Sequence, residues 1–169
     1  MGLFHRYNST IHGDYRRAYL RSGLVTGLLL AAYVLVRLLM GSPMESPTSL
    51  VVDAILLVVL FLFAAWYRNS LPEKKITLKE VLLFGIGLSL VAAVVYGVLL
   101  FAIQVAAPRQ TQLFTESYQI SPANYPLQYW AAWWAVVAAA GVLLLGAFGA
   151  FVAAVVLRNE KSEIKHKQQ

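Results

Sequence analysis

Cysteine is absent from this chain, which excludes disulfides, thiolate metal ligands and a cysteine nucleophile together. Charge is scarce: 13% of the 169 residues are charged and 59% are hydrophobic, where a soluble domain carries about 25% charged residues. That much apolar surface, with a mean hydropathy of +0.64, does not fit inside a water-soluble core. It fits a protein whose outer surface meets lipid. Histidine is confined to His5, His12 and His166 in polar terminal segments. His–His haem ligation inside a bundle is therefore excluded, and His5 and His12 have no carboxylates at ligand spacing to complete a metal site. No GxSxG, HExxH or Walker motif occurs, so those routes to hydrolysis or nucleotide binding are closed. The middles of the apolar runs hold no acidic or basic residue, which argues against autonomous ion pumping and against catalysis within a membrane. The expectation is a protein that is not an enzyme, with no catalytic, cofactor-binding or metal-binding residues and no cofactor.

Four apolar runs are long enough to cross a bilayer, which takes about 20 helical residues. They cover residues 19–40, 50–67, 81–106 and 130–157. The first is longer than the apolar region of a signal peptide, is interrupted by Arg37 and is followed by no small-x-small cleavage site, so it reads as a retained helix. Residues 1–18 form a basic N-terminal segment, 107–129 the one sizeable segment outside the spans, and 158–169 a polar tail.

The net charge of +6 and pI of about 9.7 come from basic residues that flank the spans. They indicate a topology signal and attraction to anionic lipid headgroups, not nucleic-acid binding. Arg6, Arg16, Arg17 and Arg21 precede the first span. Arg68, Lys74, Lys75 and Lys79 lie between the second and third, and Arg158, Lys161, Lys165 and Lys167 follow the fourth. Twelve of the fourteen basic residues thus share one side, leaving Arg37 and Arg109 for the other. By the positive-inside rule both termini are cytoplasmic, and the fold class is all-α: four transmembrane helices in an antiparallel up-down bundle. Tyr15, Tyr19, Trp66 and Tyr67 would lie at the inner interface, and Tyr129, Trp130, Trp133 and Trp134 at the outer one. Thr77 with Glu80 fits a capping box opening the third helix. A short interfacial helix is expected at 111–118, ended before Pro122.

Helices in lipid associate through close packing and polar contacts, because lipid tails are as apolar as leucine. Small residues recur every fourth position at Gly23, Gly27 and Ala31; at Gly85, Ser89, Ala93 and Gly97; and at Gly146, Ala150 and Ala154, with Gly149 and Ala153 alongside. These ridges serve packing within one chain, self-association, or docking to another membrane subunit. Span two has no such row and is the candidate for a largely lipid-facing helix.

The polar candidates gather near the outer ends. Arg37 and Asp53 lie three residues inside neighbouring spans, at matched shallow depth when counted from the span ends. Tyr33 is one turn from Arg37, and Gln104 is near the end of the third span. Together they read as a structural clasp across the hairpin, as charges snorkelling to headgroups, or as a small ligand pocket. Tyr96, in the third span, needs a partner for its hydroxyl, which a backbone carbonyl would supply.

The stretches "YRRAYLRSGLVTGLLLAAYVLV" and "WYRNSLPEKKITLKEVLLFGIGLSLVAAVVYGVLLF", with the longer outer segment and short basic tail, carry a resemblance. The chain resembles domain-of-unknown-function family 4199, small four-span membrane proteins of Bacteroidetes-type bacteria. The resemblance implies the four-span topology and a bacterial inner-membrane location, and it implies no established activity, cofactor or catalytic residue. The expected function is a non-catalytic accessory or scaffold subunit acting through helix packing. Its partners would be membrane lipids and either other membrane subunits or further copies of itself. The alternative is a small transporter or lipid-binding protein with a polar site near the outer leaflet.

Overall fold

The computed structural model describes residues 3–40, 47–70, 77–108 and 126–157. They form four helices: α1 (Leu3–Leu39), α2 (Pro47–Ser70), α3 (Leu78–Ala106) and α4 (Leu127–Leu157). All four are long and apolar enough to span a membrane, over Tyr15–Leu39, Leu50–Ser70, Leu78–Ala106 and Gln128–Leu157. The helix expected at 111–118, the turns at 41–46 and 71–76, Arg109 and the tail 158–169 lie outside the described residues.

Local chemistry sets the helix ends. Pro47 opens α2, at the first helical position where a missing N–H and a fixed φ cost least. Ser70 closes it by donating from its hydroxyl to the Tyr67 carbonyl at 2.7 Å. The capping box of α3 is formed: the Thr77 N–H donates to Glu80 Oε2 at 2.9 Å, and the Glu80 N–H donates to Thr77 Oγ1 at 3.3 Å. At the other end the Ala107 N–H donates to the Ile103 carbonyl at 3.0 Å, just before Pro108.

The first helix is longer than its apolar run. It reaches back to Leu3, giving 37 residues and a length of about 55 Å at 1.5 Å per residue. The charges Arg16, Arg17 and Arg21 mark the end of the apolar stretch without ending the helix, because helical hydrogen bonds close within the segment whatever the side chains meet.

The hub is α3, which packs most extensively on α4 and α1, while α2 bridges α4 and α1 and touches α3 least. About 28% of the α2 span is buried against 39% in each of the others, so α2 is the most outward-facing helix, in keeping with its lack of a small-residue row. Contact order gives relative direction. Gly87 packs on Tyr19, Gly23 on Val91 and Gly27 on Val95, so positions on α1 and α3 advance together. Gly85 packs on Ala150, Gly146 on Ser89 and Gly97 on Ala139, so positions on α3 and α4 run in opposite order.

Two apolar clusters fill the interior. One joins Leu60, Ala64, Tyr67, Val81, Phe84, Leu88 and the Ala150–Leu157 end of α4. The other joins Leu30, Ala31, Val34, Val52, Leu56, Ala92, Ala93, Tyr96, Leu100 and Val142. Tyr15, Tyr19 and Tyr67, expected at the interface, pack around the first cluster. Tyr67 stacks on Phe84 at 4.7 Å between ring centroids, Tyr15 meets Tyr67 edge-on at 5.6 Å, and the Tyr15 hydroxyl donates to the Glu80 carbonyl at 3.2 Å. These rings tie α1, α2 and α3 together at the capped end of α3, while Trp66 remains exposed on the outside.

Candidate polar site and packing seams

The small residues of α1, α3 and α4 face one another across two seams. A Cβ built on Gly23 would lie 2.6 Å from Val91 Cβ and 2.7 Å from the Leu88 carbonyl oxygen. One built on Gly27 would lie 2.7 Å from Val95 Cβ and 3.0 Å from the Ala92 carbonyl oxygen. Only hydrogen fits at either position, and Ala31 continues the row at 5% exposure.

On the other side of α3, a Cβ on Gly85 would run into the Ala150 side chain and stand 3.0 Å from its Cα. A Cβ on Gly146 would occupy the place of Ser89 Oγ and lie 2.5 Å from Ser89 Cβ. Ser89 settles its own hydroxyl by donating to the Gly85 carbonyl at 2.7 Å, so it enters this dry contact without a stranded polar group. Thr26 does the same on α1, donating to the Ser22 carbonyl at 2.8 Å. Ala93 and Ala154 are buried beside these contacts. Gly149 opens a third approach, to Leu57 of α2, where a Cβ would lie 2.6 Å from Leu57 Cδ2.

The glycine Gly141 differs. It is exposed on α4, and a Cβ built there would meet nothing within 4 Å. Around it stand the exposed side chains of Val137, Leu144 and Phe148.

The polar candidates fall into two tiers. Arg37 is ten residues beyond Gly27, and Val105 is ten beyond its partner Val95, so the α1–α3 register puts Arg37 level with Val105 and next to Gln104. Gln104 is 5% exposed, and both it and Arg37 have polar or electrostatic partners. Tyr33 is half-buried and packs against the second apolar cluster.

Asp53 belongs to a deeper tier. Leu57, one turn further along α2, packs on Gly149 of α4, one turn from the Gly146–Ser89 contact, so Asp53 stands nearer the level of Ser89 than that of Val105. The α1–α3 and α2–α4 contacts thus set Arg37 and Asp53 at different levels. Matching the two by distance from span ends misses the offset between the helices. Tyr96 is buried in the second apolar cluster, with Ala92, Ala93 and Leu100 of its own helix.

Among the described residues no group of three or more His, Cys, Asp or Glu side chains stands close enough to hold a metal ion. No family model, curated protein or solved structure matches the chain.

Proposed function

We propose that this protein is a non-catalytic, multi-pass protein of the bacterial inner membrane, an accessory or scaffold subunit that works through helix packing. In this reading the chain is an up-down bundle with both termini in the cytoplasm, as the basic residues suggest, and the resemblance to family 4199 describes its lineage. The opposed and parallel contact orders along α3 support the up-down arrangement.

The observation that carries the scaffold reading is Gly141. A glycine inside a helix costs about 1 kcal/mol relative to alanine. Gly23, Gly27, Gly85 and Gly146 return that cost as close packing within the chain, whereas Gly141 meets no neighbour within 4 Å. An exposed notch between larger apolar side chains is where the backbone of another membrane helix could approach closely. Purification in a gentle detergent followed by mass spectrometry tests this. The reading expects a stoichiometric membrane partner, a second copy or another subunit, that is lost in Gly141→Leu. A wild-type chain that runs as a lone, empty monomer contradicts it. For the topology, a C-terminal reporter active only outside the cytoplasm contradicts the orientation.

A second reading, a small transporter or lipid-binding protein, draws on Arg37 and the buried Gln104, which the α1–α3 register sets at one level. It expects a lipid or solute retained through the same purification.

A further inference from the structure

Four polar side chains share one level at the end of the bundle where α1 and α3 finish and α4 begins. The α1–α3 register sets Arg37 level with Val105, next to Gln104. The α3–α4 register supplies the other wall. From the contact of Ser89 with Gly146, fifteen residues along α3 lead to Gln104, and fifteen back along α4 lead to Ala131. The contact of Gly97 with Ala139 and the Ala135 carbonyl agrees with that count. Ala131 is 0% exposed. Trp130 precedes it, and Trp134 lies one turn from Trp130 on the same side of the helix. The level is two residues inside the apolar ends at Leu39 and Ala106 and three inside the end at Gln128, about 3–5 Å at 1.5 Å per residue. At that depth side chains come within reach of lipid headgroups.

These groups differ from an ordinary interfacial belt. Tyr129 and Trp133, on neighbouring positions of α4, are each 54% exposed, as belt residues are. Trp130 and Trp134 are half-buried, and among the described residues their indole Nε1 atoms are buried and donate no hydrogen bond. Gln104 is 5% exposed, and its Oε1 is buried and accepts none. All three residues make other contacts within the protein, so the side chains are held by interactions that do not engage these atoms. An indole offers only a donor and the Gln104 oxygen only an acceptor. Arg37 adds a cation whose planar fork of donors suits phosphate. Two donors and one acceptor thus share a level and do not bond one another, so a guest that satisfies them brings both acceptors and a donor. We propose that Arg37, Gln104, Trp130 and Trp134 bind one phosphate group with a hydroxyl or ammonium beside it, the headgroup chemistry of phosphatidylglycerol or phosphatidylethanolamine.

The phosphate oxygens accept from Arg37 and the two indoles, and the hydroxyl or ammonium donates to Gln104 Oε1. Phosphatidylcholine, whose ammonium carries no N–H, answers the donors and leaves the acceptor unmet. A water-soluble monoester such as glycerol 3-phosphate carries the same groups as the lipid headgroup. This site deepens the lipid-binding reading above and rests on it, and it does not depend on the scaffold reading.

The test uses the full chain in dodecyl maltoside, with bound lipid counted by native mass spectrometry. Phosphatidylglycerol, phosphatidylethanolamine, phosphatidylcholine and diacylglycerol are added in turn, and glycerol 3-phosphate is titrated against the bound lipid. The site predicts one retained phosphatidylglycerol or phosphatidylethanolamine per chain and no retained diacylglycerol. Phosphatidylcholine should be held about tenfold more weakly, the equivalent of 1.4 kcal/mol. Gln104→Leu removes the acceptor and should abolish that preference. Trp130→Phe combined with Trp134→Phe keeps the rings, removes both donors and should weaken every phospholipid by about tenfold or more. Arg37→Gln should do the same. Displacement by glycerol 3-phosphate assigns the site to a soluble phosphate, and resistance to it assigns the site to a lipid. If Gln104→Leu does not fold, the paired Phe variant and Arg37→Gln decide. Equal retention of all three phospholipids by the wild type overturns the site, as does retention unchanged in both the paired Phe variant and Arg37→Gln. Lipid held regardless of these substitutions leaves the lipid-binding reading standing without this site. A chain that holds neither lipid nor glycerol 3-phosphate ends both.

Discussion

Helix α4 presents two faces that use small residues differently. Towards α3, Gly146 and Ala150 lie against Ser89 and Gly85 so closely that a single added carbon has no room. On the outward face, Gly141 is a little more than one turn away and has open space beside it. Both faces carry glycine within one apolar helix, so composition does not separate them. The difference lies in what stands opposite, which means small residues in a lipid-embedded helix mark places of close approach without naming the partner. On the α3 face the partner is this chain. On the Gly141 face the partner, in the proposed reading, comes from outside it.

A graded series of substitutions would break or sharpen that contrast, each read as unfolding free energy or Tm in the same bilayer mimetic. Gly85→Leu should have the largest effect. Its side chain would be driven into Ala150, including a main-chain atom that cannot rotate away, and the expected loss is about 3 kcal/mol. Gly149→Ala should cost less, about 1 kcal/mol or below, because the group in the way is the movable tip of Leu57. For Gly97→Ala, the new methyl would stand 3.1 Å from Ala139 Cβ and 3.4 Å from the Ala135 carbonyl oxygen. This mild crowding and the helix-propensity gain of about 1 kcal/mol should nearly cancel. Gly141→Ala meets nothing and should leave stability unchanged or raise it by up to about 1 kcal/mol. If Gly141→Ala destabilised the chain as much as Gly149→Ala, the two faces would not be different in kind.

Which features were legible in the sequence follows from how local their causes are. The four spans are written in runs of apolar residues whose length alone decides the matter. The α3 cap is written in Thr77 and Glu80, three residues apart, and needs nothing from the rest of the fold. The start of α1 was less legible: Arg16, Arg17 and Arg21 end the apolar run, yet a helix continues through charge without penalty to its backbone. Tyr15, Tyr19 and Tyr67 look like interfacial anchors by position, and their packing around Phe84 depends on three helices meeting. The polar site was the least legible. Counting inward from the span ends pairs Asp53 with Arg37, because the count assumes that the helices begin level. The contacts of Gly23 and Gly27 with Val91 and Val95, and of Leu57 with Gly149, fix a different offset, which sets Arg37 and Asp53 at different levels.

The most direct test of this account sets Gly141→Leu beside Gly146→Leu and measures the unfolding temperature of each isolated chain in the same nanodiscs. The account predicts a large fall for Gly146→Leu, where Ser89 already fills the space, and a value close to wild type for Gly141→Leu. Equal falls in the two variants, or a fall in Gly141→Leu alone, would contradict the assignment of one face of α4 to the chain's own core and the other to an outside partner.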